Sequence, residues 1–96
     1  MPTYITLVKL TDQGAKNVKE WPSRIQEAMA IGESLGVRFQ PYMMMGEFDF
    51  IGIAEAPSDE AIARVNLSIA SRGDVRTVTS RAFGMEEIAQ IVDGVR

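Results

Sequence analysis

The polar residues that could act on a ligand are few, and Asp49 is the most distinctive of them. It stands between Phe48 and Phe50, directly after Gly46-Glu47. One interpretation is a turn-stabilising carboxylate that accepts backbone hydrogen bonds, as Asp commonly does in turns. The other is a ligand-binding group or a general base at the mouth of a cavity. Asp49 is therefore the candidate catalytic residue, with both interpretations open.

A second polar group lies on a predicted strand near the end of the chain. Arg76 and Arg81 are five residues apart, so their side chains point to opposite faces of a sheet. Arg81 shares its face with Thr77 and Thr79. If this face lines a cavity, one guanidinium and two hydroxyls can hold a carboxylate or a phosphate. The alternative is an ion pair of Arg81 with Asp49, with Asp74 or across a subunit interface.

Two hydroxyls near the start of the chain complete the candidate site. Tyr4 and Thr6 share one face of a predicted strand. They either line the same space as the other candidates or are core residues whose hydroxyls are satisfied by hydrogen bonds. The predicted ligand-binding residues are Tyr4, Thr6, Asp49, Thr77, Thr79 and Arg81.

Three consecutive methionines, Met43 to Met45, resemble a site for a soft metal, since thioethers bind Cu(I). Adjacent residues on a strand point to opposite faces, however, so these three sulfurs cannot converge on one ion. Flexible packing at an interface is the better interpretation. We predict no metal site.

Composition excludes much familiar chemistry. The chain has no Cys and no His among its 96 residues. This rules out the usual zinc sites, a thiolate nucleophile, a Ser-His-Asp relay and a histidine-held haem. The glycines form neither a phosphate-binding loop nor a dinucleotide-binding motif. We therefore expect no cofactor.

Charge and hydropathy indicate which partners and compartments to expect. Ten basic and thirteen acidic residues give a net charge of -3. This is the wrong sign for binding nucleic acid, because such binding depends on neutralising phosphates. No apolar run approaches the roughly 20 residues that span a bilayer, and the first residues carry no secretory signal. We expect a cytoplasmic protein with no nucleic-acid or membrane partner.

Apolar periodicity and turn residues divide the chain into elements in the order β-α-β-β-α-β-α. Pro41 cannot donate to a ladder, so the second strand should lie at a sheet edge. This order matches a single α+β domain over residues 1–96, with an antiparallel ferredoxin-like sheet and two helices on one face. The predicted strands are Thr3–Leu10, Val37–Met45, Phe48–Glu55 and Val75–Phe83, with a tight hairpin turn at Gly46-Glu47, and the predicted helices are Pro22–Leu35, a segment from the Ser58 cap to Gly73, and Met85–Val92.

The first and third strands are apolar on both faces. In the third strand, Phe50 and Ala54 alternate with Ile51 and Ile53. Two helices can cover only one face, so the other must meet a second surface, most simply the same face of a second copy. We predict a homodimer or higher homo-oligomer whose sheets close toward a dimeric α/β barrel.

Four segments together resemble the GYD-domain family over nearly the whole chain. They are Pro2 to Val8, the predicted turn Thr11-Asp12-Gln13-Gly14, Met45 to Asp49, and Val75 to Phe83. The resemblance implies a small bacterial or archaeal protein with the fold of dimeric α/β-barrel proteins, and it implies a fold more than a function. Phe48 stands where the family motif has Tyr, so a role that needs this phenol hydroxyl does not carry over.

A weaker similarity runs from Gly46 through Arg76-Thr77. This segment resembles the effector-binding domains of the leucine-responsive regulators, which bind small amino-acid ligands at subunit interfaces. No helix-turn-helix accompanies it in this chain.

Three functions fit these observations. The first is a binding module that holds a small anionic or amphipathic metabolite between the sheets of the dimer, which needs no reactive side chain. The second, by analogy with other dimeric α/β-barrel proteins, is a cofactor-independent isomerase or monooxygenase in which Asp49 or Tyr4 moves a proton. The third is a structural oligomer or protein-partner module. The sequence leaves open whether the chain is an enzyme.

Overall fold

A four-stranded sheet forms the centre of the molecule in a computed structural model that describes residues 1–96. The spatial order of its strands is β2-β3-β1-β4, and every neighbouring pair is antiparallel. The predicted α+β, ferredoxin-like fold is confirmed, with β1 and β3 as the inner strands. The strands are β1 (Thr3–Leu10), β2 (Arg38–Met43), β3 (Phe50–Glu55) and β4 (Val75–Ala82).

Strand β2 lies at one edge of the sheet, as Pro41 predicted. Pro41 is opposite Gly52 of β3, and no strand pairs with the other side of β2. A proline has no N–H to donate, so an edge position costs the ladder no hydrogen bond. The edge position of β2 leaves β3 to pair with β1.

The connection between β2 and β3 is longer than the predicted two-residue turn at Gly46-Glu47. Residues 44–49 join the two strands, so Phe48 lies outside β3. The Met44 N–H donates to the Asp49 carbonyl across the loop at 2.7 Å. Gly46 takes a φ of 121°, a backbone conformation that glycine adopts without strain. The glycine signal was correct, but the length of the turn was wrong.

The first helical segment occupies residues that the sequence assigned to a turn. Helix α1 (Asp12–Lys16) starts at Thr11, whose hydroxyl accepts the Gly14 N–H at 3.2 Å. A short 3-10 turn (Val18–Glu20) then leads into α2 (Trp21–Ser34). The residue types that cap helices also favour turns, so the sequence from Thr11 to Gly14 is compatible with either a helix start or a turn.

The remaining helices match their predicted signals. Helix α3 (Asp59–Ala70) begins after Ser58, whose hydroxyl accepts the Ala61 N–H at 3.2 Å. Helix α4 (Met85–Asp93) follows β4 after two residues, Phe83 and Gly84. No helix is both long enough and apolar enough to cross a bilayer.

The core lies between the sheet and the pair α2 and α3. Its fully or nearly fully buried residues come from β1, β3 and α3 and from the segments beside them: Tyr4, Val37, Ala54, Ala56, Ala61, Ile62 and Val65. No helix covers the opposite face of the sheet, and α4 makes only marginal contact with the rest of the chain. One sheet face and one helix are therefore left without a partner within the chain.

Candidate functional site

Most of the predicted ligand-binding residues lie on the sheet face that α2 and α3 cover. The β1–β4 register pairs Tyr4 with Arg81 and Thr6 with Thr79, and Thr77 follows on the same face. Arg76 pairs with Lys9 on the opposite, open face. Arg81 and the threonine stripe therefore lie beneath α3, and Arg76 lies on the face that a second sheet would cover.

Tyr4 joins the first strand to the start of α3. Its ring is buried, and its hydroxyl donates to the Asp59 carboxylate. This hydrogen bond, with smaller contributions from burial and from the nearby carboxylate charge, raises the pKa of Tyr4 above 10.0. Tyr4 is therefore a neutral hydrogen-bond donor at neutral pH, committed to Asp59.

Arg81 is held by several groups at once. Its Nη2 lies 2.9 Å from the Glu87 Oε2, and its Nη1 donates to the Thr3 carbonyl at 3.2 Å. Its guanidinium carbon lies 4.6 Å from the ring centroid of Phe83 and 5.8 Å from that of Tyr4. Arg81 therefore forms an ion pair within the chain, but its partner is Glu87 of α4 and neither Asp49, which binds the Leu10 N–H, nor Asp74, which pairs with Arg24.

Glu87 completes this junction between β4 and α4. Its carboxylate accepts the Gly84 N–H at 3.2 Å and pairs with Arg81. The backbone hydrogen bond from Gly84, followed by the Arg81 hydrogen bond and charge, lowers the pKa of Glu87 below 4.5. Glu87 is thus an ionised anchor for α4.

A chain of hydroxyl and amide groups crosses the covered face. The hydroxyls of Thr6 and Thr79 lie 2.9 Å apart, and the Asn66 Nδ2 donates to the Thr79 hydroxyl at 2.6 Å. Sequence reasoning missed Asn66, although a signal was present. It lies four residues after Ile62 and three before Ile69, so helical spacing puts it on the apolar stripe that faces the sheet.

An apolar cavity of about 100 Å³ lies beside the core, between α2, α3 and the sheet. Small residues, Ala28 of α2 and Gly52 of β3, leave this space open. Trp21 closes one side, with its ring centroid 5.3 Å from that of Phe50 and its indole N–H donating to the Gly14 carbonyl at 3.0 Å. Other apolar residues that line it are Ile25, Ile31, Phe39, Ile62, Val65 and Ile69.

An open cleft between α3 and the β4 edge adjoins this cavity. It is lined by Tyr4, Asp59 and Arg81, and it shares Asn66 and Thr77 with the cavity. The structure thus brings together the predicted residues of β1 and β4. It adds Asp59, the first residue of α3, which was not among the predicted site residues.

Asp49 lies away from this group. Its Oδ2 accepts the Leu10 N–H at 2.8 Å, and its own N–H donates to the Val8 carbonyl at 2.9 Å. From Tyr4 to Leu10, β1 runs about 20 Å at ~3.3 Å per residue. Asp49 therefore stabilises backbone at the opposite end of β1 from Arg81, and the two do not share one site.

The open sheet face is apolar at its centre and charged at its ends. Its charged residues include Lys9 and Arg76 at one end and Glu55 at the other. Ile53 and Val78 are 43% and 54% exposed. The central residues, which alternate with those of the covered face, are Ile5, Leu7, Ile51, Ile53 and Val78, with the polar Ser80 and Gln40 beside them.

Two further apolar surfaces are exposed. On α4, Ile88, Ile91 and Val92 all reach solvent. At the end of β2 and in the loop after it, Met43 and Met45 are 78% and 99% exposed. Exposed apolar patches of this kind mark interaction surfaces in soluble proteins.

Comparison with known proteins identifies the family. Residues 4–92 match the GYD domain. A relative from Thermus thermophilus is 38% identical over 90 residues, which cover 92% of this chain and 95% of the relative. That relative is named glutamine synthetase and cystathionine beta-lyase binding protein. The similarity to leucine-responsive regulators stays a prediction, whereas the match along nearly the whole chain means that this protein belongs to the GYD domain family.

Proposed function

We propose that this chain is an enzyme-binding protein that acts as a homodimer, with glutamine synthetase and cystathionine beta-lyase as its partners. The observation that carries the proposal is the 38% identity to the Thermus protein named for these two partners, over nearly the full length of both chains. The uncovered sheet face and the exposed methionines support it. Each of these surfaces has its own role in the proposal.

The open sheet face is the proposed contact between two copies of the chain. Most of its central side chains are aliphatic. A two-fold axis places this face of one copy against the same face of the other, so apolar surface meets apolar surface. Burying Ile53 and Val78, which are 43% and 54% exposed, removes apolar surface from water. This supports a dimer in which the sheets stack face to face.

The open face is smaller than the area that a stable interface buries, so we include α4 in the proposed contact. Four strands about 4.8 Å apart and six to eight residues long form a face of ~19 Å by ~20–26 Å, or roughly 400–500 Å². Stable interfaces bury about 800 Å² on each partner. The exposed Ile88, Ile91 and Val92 of α4 supply further apolar area if α4 packs on the second copy.

The methionines are the proposed surface for the enzymes. Met43 and Met45 are among the most exposed apolar residues of the chain, and both lie outside the core. Methionine side chains are unbranched and flexible, so one methionine surface can fit partners of different shape. The relative's name gives two different enzymes, which is the situation that such a surface suits.

The test is direct binding to the two enzymes from the organism that encodes this chain. Each enzyme is immobilised separately, and binding of the full chain is followed by biolayer interferometry. We expect saturable binding, and Met45→Glu should weaken it at least tenfold because a carboxylate would be desolvated in an apolar contact.

The matched control is Leu67→Glu, the same kind of change at a residue on α3 that is 70% exposed. It should bind both enzymes as the wild type does. Failure of the wild-type chain to bind either enzyme would overturn the proposed function. Equal binding by Met45→Glu and Leu67→Glu would instead remove the methionines from the docking surface.

A further inference from the structure

We propose that the cavity beneath α2 and α3 binds a small monocarboxylate with a branched aliphatic tail, and that Arg72 binds its carboxylate. This site is separate from the surfaces proposed for the second copy and for the enzymes. It also lies between helices and sheet, so it differs from a metabolite site between two sheets.

The lining of the cavity selects an apolar tail. The space is about 100 Å³, and the side chains around it include Ile25, Phe39, Phe50 and Ile69. The apolar walls offer water few hydrogen-bond partners, so a small hydrocarbon group can replace water against them. A tail of about four to six carbons matches this space, and a polar tail would lose its hydration without compensation.

The cavity exists because Gly52 and Ala28 are small, although larger side chains would fit at these positions without a clash at their Cβ atoms. A Cβ on Gly52 would lie 3.7 Å from the nearest atom of the Phe39 ring, which is an ordinary contact. Ala28 faces the same cavity from α2. Larger side chains at these positions would fill the cavity, so they are the positions at which occupancy can be tested.

The charges at the cavity select an anionic head. Two cations, Arg24 and Arg72, and one acid, Asp74, line the cavity. Arg24 is neutralised by Asp74, which is buried, and also pairs with Glu20. Arg72 pairs with Glu27 at 2.7 Å, with side chains 47% and 57% exposed. Exposed pairs contribute little to stability, so a ligand carboxylate can replace Glu27 at Arg72.

The opposite end of the cavity does not offer a comparable cation. Asn66 and Thr77 are uncharged, and Asn66 already donates to Thr79. The adjoining cleft is lined by one cation, Arg81, which Glu87 and the Thr3 carbonyl already hold. The carboxylate is therefore assigned to the Arg72 end.

The test uses 4-methylpentanoate as the probe and the fluorescence of Trp21, which lines the cavity and is the only tryptophan in the chain. We expect a saturable change in emission with 4-methylpentanoate and none with acetate at the same concentrations. Ala28→Leu should weaken binding at least tenfold by filling the cavity. Ala30→Leu, the same change at an exposed position of α2, should bind within twofold of the wild type.

A second pair of exposed variants tests the assignment of the head group without altering the core. Arg72→Gln should weaken binding at least tenfold, and Glu27→Gln should tighten it severalfold because the ligand no longer competes with Glu27. No saturable response of the wild type, or equal affinities for the wild type and Arg72→Gln, would overturn the proposal. An unchanged affinity in folded Ala28→Leu would do the same.

Discussion

Gly14 shows how a single residue determines the approach of α1 to the sheet. A Cβ at this position would overlap the backbone carbonyl oxygen of Asp74, which cannot rotate aside. The same oxygen accepts the Thr11 N–H at 3.0 Å, and the Gly14 carbonyl accepts the indole N–H of Trp21. The glycine is required here for close backbone approach. The close approach to the Asp74 carbonyl therefore explains why the Thr11-Asp12-Gln13-Gly14 segment ends in glycine.

We expect Gly14→Ala to lower the free energy of unfolding by about 1–3 kcal/mol, the usual cost of forcing an extra group into a packed site. Urea unfolding followed by circular dichroism measures it. Gly84→Ala is the control, because a Cβ there meets nothing within 4 Å. Equal unfolding free energies for the two variants would show that α1 shifts away from Asp74 without cost.

At the scale of elements, α4 is the helix whose position depends least on the core. Its apolar residues are exposed, and its side-chain link to the sheet is the Glu87–Arg81 pair at 2.9 Å. Glu87 also caps the Gly84 N–H. A helix of only nine residues is marginal alone, so these two contacts matter for its first turn.

The lowered pKa of Glu87 makes the first turn of α4 sensitive to acid. Ionised Glu87 stabilises the helix fully above the unfolded pKa near 4.5, and this stabilisation is lost as pH falls through the lower folded pKa. We expect the helical Cα chemical shifts of Ile88 and Ala89 to decrease below pH 4.5. Nuclear magnetic resonance between pH 6 and pH 2.5 measures them.

The comparison between Glu87→Gln and Glu86→Gln isolates this effect. Glu87→Gln should reduce helicity at pH 6 and remove most of its pH dependence. Glu86→Gln, which changes a neighbouring acid that forms no ion pair, should keep the transition. A transition that persists unchanged in Glu87→Gln would assign the acid sensitivity to another carboxylate.

At the scale of the whole molecule, helices cover one side of the sheet and leave the other side uncovered. The covered side holds the core, the cavity and the Tyr4–Asp59 contact. The uncovered side carries aliphatic residues that include Ile53 and Val78. The proposed dimer contact uses the uncovered face, and the proposed small-molecule site lies on the face that α2 and α3 cover. The two proposals therefore do not compete for surface.

We expect the wild-type chain to elute as a dimer, twice the 10.6 kDa chain mass, in size-exclusion chromatography with light scattering. Ile53→Glu should shift it to monomer, because the charge would be buried between the sheets. Leu67→Glu, at an exposed position of α3, should remain dimeric. A wild-type monomer at micromolar concentration would contradict the proposed contact.

Local signals in the sequence determined the elements and much of their order. Ser58 caps α3 and Pro41 marks an edge strand, since capping and the lack of an N–H act within a few residues. Strand alternation likewise separated Arg76 from Arg81. The same local signals did not distinguish a turn from a helix at Thr11, nor a two-residue from a six-residue connection after β2.

Only the tertiary structure decided which face of the sheet the helices cover and what meets there. Both faces of β1 and β3 are apolar, so alternation alone gave no preference, and Arg81 could be assigned to neither side. The contacts that define the site join residues far apart in the chain, such as Tyr4 with Asp59 and Arg72 with Glu27. The cavity is the space that α2 and α3 leave above Gly52, and it depends on how three separate elements pack.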